Sequence, residues 1–251
     1  MSGYAEIKSQ LKQLKLSGAS ETLELRLMEA QSNDLSFSEV LSMLLSDEIE
    51  LRRNRSLQRL ISHAHLESNK TLEYFDFTFN PTIKPQLIRE LSTCHFLDKA
   101  ENIFFIGPTG TGKTFLAKAI AHAACRKHLR VEFYSFRDLF SSLQKADLAN
   151  RLERALNVII KSDILIIDDF GFKKLEQKSA EYLYAIIESR YQLKSTIITS
   201  NRSITDWSSV FPDPVMANAV MDRLCHNAHQ IVIKGESYRK KFKPEIKNAR
   251  E

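Results

Sequence analysis

Residues 107–114 read Gly-Pro-Thr-Gly-Thr-Gly-Lys-Thr, and no other stretch of the 251-residue chain limits its fold so tightly. The pattern G-x-x-x-x-G-K-[ST] needs a strand that runs into a glycine turn and then a helix. Only there do backbone amides turn inward around a phosphate at the helix's positive end. Both flanks comply. Asn102 to Ile106 is a short apolar run of strand length, and Phe115, Leu116, Ala119, Ile120, Ala123 and Ala124 repeat on one helical face. Gly107, Pro108, Thr109, Gly110, Thr111 and Gly112 are therefore expected to cradle a polyphosphate. Lys113 reaches its β and γ oxygens and the Thr114 hydroxyl ligates Mg²⁺.

A second motif gives the loop its chemistry. Ile164-Leu-Ile-Ile-Asp-Asp169 is a buried strand with two carboxylates at its C-terminal edge, where ligands sit on open parallel sheets. Asp168 is expected to hold Mg²⁺, and Asp169 to orient or polarise an attacking water. Thr196-Ile-Ile-Thr-Ser-Asn201 is another β run with a polar end. Asn201 either contacts the γ-phosphate or lytic water, or simply forms a turn. With Val131 to Ser135 and Gln230 to Ile233, five strand-like runs alternate with helical patterns. This predicts an α/β domain with a mainly parallel sheet and helices on both faces.

The first 70 residues differ. They contain no proline and only Gly3 and Gly18, and their apolar residues recur at helical spacing (Ile7, Leu11, Leu14; then Phe37, Val40, Leu41, Leu44, Leu45). Ser36 and Glu39 stand at capping-box spacing before the second run. An all-helical module over 1–70 is expected, with the larger domain over 71–251. Tyr74 to Pro85, with alternating Phe75, Phe77 and Phe79 and two prolines, is the boundary. Those aromatics are candidates for an adenine pocket, although a core role serves them equally well.

Charge narrows the partner. Of a net +5, four charges come from 234–251, which holds seven basic and three acidic residues. Arg52, Arg53, Arg55 and Arg59 form a second cluster, and two such patches suit a phosphate backbone as well as a solvated helix face. Cys94, Cys125 and Cys225 are too few and too scattered for a disulfide framework or zinc ribbon. Cys225 with His226 and His229 lacks a fourth ligand. No apolar run approaches the ~20 residues of a membrane span, and the N-terminus lacks the apolar block of a secretory signal. A cytoplasmic protein is expected.

Several of these segments occur together in a known order: the loop at 107–114, Ile-Ile-Asp-Asp-Phe-Gly at 166–171, Ser189-Arg-Tyr191, Ser195 to Asn201, Asp222-Arg-Leu224 and Gly235-Glu-Ser-Tyr-Arg239. The chain thereby resembles IstB-type transposition helper ATPases, and also the DnaC-type helicase loaders of the AAA+ group. The resemblance implies an AAA+ phosphate-loop ATPase fold behind a small helical N-terminal domain, with ATP and Mg²⁺ as cofactors. It further implies homo-oligomers assembled with ATP on double-stranded DNA, and a partner transposase encoded by the same element. By the same resemblance Asn201 is the first sensor residue, Arg223 an arginine finger offered to a neighbouring subunit, and Arg239 the second sensor residue. Arg52, Arg53, Arg55, Arg59, Lys240, Lys241 and Lys243 are then the expected DNA contacts, reading backbone charge rather than base sequence. The rival implication is a helicase loader acting on single-stranded DNA. One departure stands out: most AAA+ enzymes carry glutamate where this chain has Asp169, so slow hydrolysis is expected.

Overall fold

The computed structural model describes residues 2–242. Three helices open the chain: α1 (Ser2–Gln13), α2 (Ser17–Asn33) and α3 (Phe37–His63). The chain then divides into two compact units, 1–59 and 60–251, with the division falling inside α3.

In the first unit the start of α3 is fixed as its sequence suggests. The Ser36 amide donates to Glu39 Oε2 at 2.7 Å, and the Glu39 amide donates back to Ser36 Oγ at 3.4 Å. The start of α2 is held from a distance. Buried Glu48 on α3 accepts from the Gly18 amide at 2.6 Å and the Ala19 amide at 3.4 Å. A carboxylate against free helix N-terminal amides satisfies donors that have no intrahelical partner. Gly18 permits this approach, since a Cβ there would lie 2.8 Å from Asp47 O and Glu48 Cα. Burial alone would raise the Glu48 carboxyl; Arg52 and the two amides bring it below its ordinary value. Phe37, Leu41, Leu45 and Ile49, spaced by four along α3, are exposed. Periodicity thus gave the helix, while the buried contact passes through Gly18, Ala19, Leu23 and Glu48 instead.

In the second unit a turn-rich segment leads to α4 (Pro85–Ser92), whose first residue, Pro85, lacks the amide a helix start leaves unused. Five strands follow: β1 (Asn102–Ile106), β2 (Val131–Ser135), β3 (Ile164–Asp168), β4 (Ser195–Ser200) and β5 (Ala228–Val232). They form one wholly parallel sheet in the order β2-β3-β4-β1-β5. Connecting them are α5 (Lys113–Arg126), α6 (Phe136–Leu148), α7 (Leu152–Lys161), α8 (Gln177–Arg190) and α9 (Pro214–Cys225). Strands buried on both faces read as continuous apolar runs, as Ile103 to Phe105 and Ile164 to Ile167 do. One set of alternate residues (Phe104, Ile106, Leu165, Ile167, Ile198) packs with α6 to α9. On α5, Leu116, Ala119 and Ile120 are buried, and that helix packs along four of the strands.

β5 begins two residues earlier than its apolar pattern suggests. It is an edge strand whose His229 and Gln230 are exposed, so backbone pairing with β1 defines it: Asn102 pairs with Ala228, and the Asn102 amide donates to Asn227 O at 2.7 Å. Arg190, within the Ser-Arg-Tyr run, is 1% exposed and braces the sheet. Its guanidinium donates to the carbonyls of Ile159, Ile160 and Ser162 at the end of α7 and to Ser195 O at the start of β4. Among the described residues no helix is long and apolar enough to cross a membrane.

Candidate nucleotide site

The turn between β1 and α5 gathers most of the residues singled out from the sequence. Gly107 and Gly110 sit at φ +155° and +83°. A Cβ on Gly107 would come within 2.1 Å of Ile233 O, and one on Gly110 within 2.0 Å of Ser237 Oγ. The loop is therefore pressed against the chain that follows β5, and the Tyr238 amide donates to Gly110 O at 2.9 Å. That contact sets Arg239 one residue from the loop, close enough for its charge to act on Lys113.

Lys113 is only 5% exposed, and its ammonium donates to Pro108 O and to Asn201 Oδ1, both at 2.7 Å. Burial pushes its pKa down, Asp169 and Asp168 pull it up, and Arg239 pushes it down again. Thr114 Oγ1 donates to Asp168 Oδ1 at 2.8 Å. Burial raises the Asp168 carboxyl above its ordinary value, against hydroxyl bonds from Thr199 and Thr114 that lower it. A hydroxyl and a carboxylate as the meeting oxygens fit a hard cation such as Mg²⁺.

Thr199 escaped the sequence reading. Fully buried on β4, its hydroxyl donates to Asp168 Oδ1 at 2.5 Å and accepts the Asp169 amide at 3.0 Å, so one side chain holds both members of the carboxylate pair. The available signal was a hydroxyl residue next to the polar end of β4, two positions before Asn201 and on a strand buried throughout. Asp169 itself is exposed and takes φ +54°. That left-handed conformation is one that aspartate tolerates better than longer side chains do, which gives a physical reason for the departure from glutamate.

Beside the loop, Tyr74, Phe75, Asp76, Phe79, Asn80, Thr111, Gly112, Phe115 and Tyr238 line a cleft of about 390 Å³ counted out to its mouth. Ion pairs fasten this segment to α5, Glu67 with Lys118 at 2.7 Å and Glu73 with Arg126 at 3.1 Å.

Arg223 stands apart. It lies in the last turn of α9 and lines a hollow with Asn102 and Thr196, at the N-terminal ends of β1 and β4. The phosphate loop leaves the opposite end of β1, about 13 Å away along the strand. Arg223 Nη2 is 3.7 Å from Glu188, Nη1 donates to Ala219 O, and the guanidinium lies over the Tyr184 ring. In the N-terminal cluster Arg52 is bound to Glu48 and to Lys15 O, and Arg55 to Ser17 Oγ; Arg53 and Arg59 are exposed and have no such partner among the described residues. Lys240 pairs with Glu236 at 3.0 Å. Lys243 and the side chain of Lys241 lie outside the described residues. His229 bonds Glu101 at 2.8 Å, and the described residues contain no cluster able to hold a metal through His, Cys, Asp or Glu alone.

A parallel five-stranded sheet, a phosphate loop and a carboxylate pair opposite a polar β4 end define an AAA+ ATP-binding protein. Solved structures share the fold. The DnaC helicase loader is 28% identical with a TM-score of 0.53, over 59% of this chain and 87% of that one. AMPPCP-bound DnaA from Aquifex aeolicus is 22% identical with a TM-score of 0.57, over 70% and 54%. Within that class the chain belongs to the IstB-like ATP binding protein family, which matches residues 9–246. It is 42% identical, over 84% of both chains, to a Geobacillus stearothermophilus protein named for ATP binding in insertion sequence IS5376. It is 38% identical, over 95% of this chain and 90% of the other, to the corresponding protein of IS21 from Pseudomonas aeruginosa.

Proposed function

We propose that this protein is a Mg²⁺-dependent ATPase that assembles on duplex DNA and assists the transposase of its own insertion sequence. The observation that supports the reading is where these residues stand on the sheet. Lys113 with Asn201 and Thr114 with Asp168 are hydrogen-bonded at the loop, Asp169 and Arg239 are near enough for their charges to act on Lys113, and Arg223 lies at the other edge of the sheet. An arginine that cannot reach its own nucleotide is available to a neighbour's, and a guanidinium supplied in trans couples hydrolysis to assembly.

The roles follow from the chemistry. The amides of 107–114 and Lys113 hold the phosphates, and the cleft by Phe75 and Phe79 takes the adenine. Thr114 and Asp168 hold Mg²⁺, which neutralises charge on the phosphate oxygens when bound. Asp169 orients the lytic water, and Asn201 leaves Lys113 to contact the γ-phosphate or that water. Arg239 senses the nucleotide in cis. The helical N-terminal unit, through the exposed Arg53 and Arg59 with Arg52 and Arg55, contacts the DNA backbone or the partner, and the basic tail adds Lys240, Lys241 and Lys243.

The test is light scattering of the protein with a duplex or single strand of about 60 nucleotides, with and without ATP and Mg²⁺, because backbone binding scales with strand charge. Large complexes that need both ATP and duplex, and vanish in Lys113→Ala, are expected. A monomer on duplex DNA refutes the assembly and the role of Arg223 together. Preference for the single strand favours the second reading, a helicase loader, which the likeness to the DnaC helicase loader supports.

A further inference from the structure

Arg26 and Arg190 each engage all three guanidinium nitrogens. Arg26 donates from Nε and Nη2 to Asp47 at 2.8 and 2.7 Å, and from Nη1 to Glu29 at 2.8 Å. Buried Arg190 donates from Nε to Thr196 Oγ1, from Nη1 to the carbonyls of Ile159 and Ser162, and from Nη2 to Ser195 O. Arg223 is held differently. Among the described residues it makes one hydrogen bond, from Nη1 to Ala219 O at 2.8 Å, one turn back on α9. Nη2 stands 3.7 Å from Glu188 Oε1, near enough for attraction and too far for a hydrogen bond. The guanidinium carbon lies 5.4 Å from the centre of the Tyr184 ring, within cation–π range.

Tyr184 enters this arrangement twice. Its ring underlies the guanidinium, and its hydroxyl donates at 3.0 Å to the same Glu188 Oε1, one turn further along α8. The hollow that Arg223 helps to line has Arg190 and Lys194 on its wall and no carboxylate among the described residues there. An arginine that serves stability closes into a hydrogen-bonded fork, as Arg26 does with Asp47. One that acts on an incoming phosphate needs its direction set and its donors open. An aromatic face does both, because it restrains the guanidinium plane without taking an N–H, and the ordering entropy is then lost on folding and not at each turnover. We infer that Tyr184 is the positioning residue for Arg223. Its face and the Glu188 carboxylate it anchors aim the guanidinium, leaving Nε and Nη2 open to the γ-phosphate of a nucleotide bound by a second copy of this chain. The inference rests on the role in trans proposed above for Arg223 and adds what aims it.

The experiment mixes two kinds of subunit on duplex DNA with ATP and Mg²⁺ and measures phosphate release. Asp169→Asn subunits keep Arg223 but lack the carboxylate for the lytic water; Arg223→Ala subunits keep that carboxylate. Neither is expected to turn over alone, and together they should, because Arg223 of the first serves the site of the second. Adding Tyr184→Leu to the Asp169→Asn subunit should lower kcat of the mixture about tenfold, with KM for ATP unchanged because the working sites belong to the other subunit. Tyr184→Phe keeps the ring and should retain most of the rate. Glu188→Lys, a substitution at the exposed surface, puts a like charge beside the guanidinium and should act as Tyr184→Leu does without disturbing the core. Light scattering verifies that each mixture forms complexes of the parental size; if Tyr184→Leu does not, Glu188→Lys decides. A mixture that turns over as fast with Tyr184→Leu or Glu188→Lys as without them refutes the positioning, and the proposed function stands. Tyr184→Phe as slow as Tyr184→Leu overturns the part given to the ring. A plain mixture that stays inactive removes the role of Arg223 in trans, and the positioning falls with it.

Discussion

Replacing Thr199 with valine removes one oxygen and almost no volume, at a position with no solvent exposure. The lost hydroxyl is bonded to Asp168 Oδ1 at 2.5 Å and receives the Asp169 amide at 3.0 Å. A hydrogen bond to a charged group contributes about 1.5–3 kcal/mol, and a buried donor left unmet costs about 1–3 kcal/mol. The Asp169 amide is only partly buried and so loses less than a fully buried donor, which sets the sum at about 2–4 kcal/mol. For a unit of this size that is about 5–12 °C of melting temperature. Function should suffer beyond stability. Asp168 loses a bond that lowers its pKa, so it protonates at higher pH and orients less firmly. Partners of metal ligands typically change metal affinity or activity by about 10–100-fold. Phosphate-release turnover as a function of Mg²⁺ concentration, at several pH values, reads this directly. Valine should raise the half-saturating Mg²⁺ and shift the acid limb of the profile upward, with ATP binding largely retained and serine restoring both. A melting temperature within about 2 °C of the parent together with an unchanged Mg²⁺ requirement refutes the reasoning.

Other perturbations test separate parts. Burial raises the Asp168 pKa in the folded chain, so its ionised form costs stability at neutral pH, and that cost disappears as pH falls through the raised value. Asp168→Asn, whose amide oxygen can accept both threonine hydroxyls, should therefore melt no lower than the parent at neutral pH and lose that advantage in acid while abolishing turnover. A lower neutral melting temperature contradicts this. Arg190→Lys keeps the charge but not the planar fork that meets carbonyls of α7 and β4. A loss of about 3 kcal/mol in urea denaturation is expected, and less than about 1 kcal/mol removes the brace from the account. Gly110→Ala forces a Cβ onto Ser237 and adds about 1–2 kcal/mol of left-handed strain, so ATP binding by calorimetry should weaken at least tenfold; near-parental affinity would show that the 235–239 segment yields freely. Asp169→Glu should raise turnover if the shorter carboxylate limits hydrolysis. An unchanged or lower rate counts against that idea.

What the chain's order of residues determined by itself is local. Continuous apolar runs mark strands buried on two faces, the glycine pattern marks a turn that only a strand and helix can flank, and Ser36 with Glu39 marks a helix start. Each depends on neighbours a few residues apart, so spacing suffices. The site's loop and its carboxylate pair were legible for the same reason. Packing between distant segments decided the rest. Thr199 acts on residues thirty positions earlier, Glu48 caps a helix that begins thirty positions before it, and Arg190 closes on α7 from the end of α8. β5 is an edge strand with polar exposed residues, so its ends follow from pairing with β1 and not from its own pattern. Arg223 looks like a surface helix residue until the parallel sheet sets it at the far edge from its own phosphate loop. A side chain's type is written in the sequence, but whom it meets depends on the burial and pairing of the whole fold.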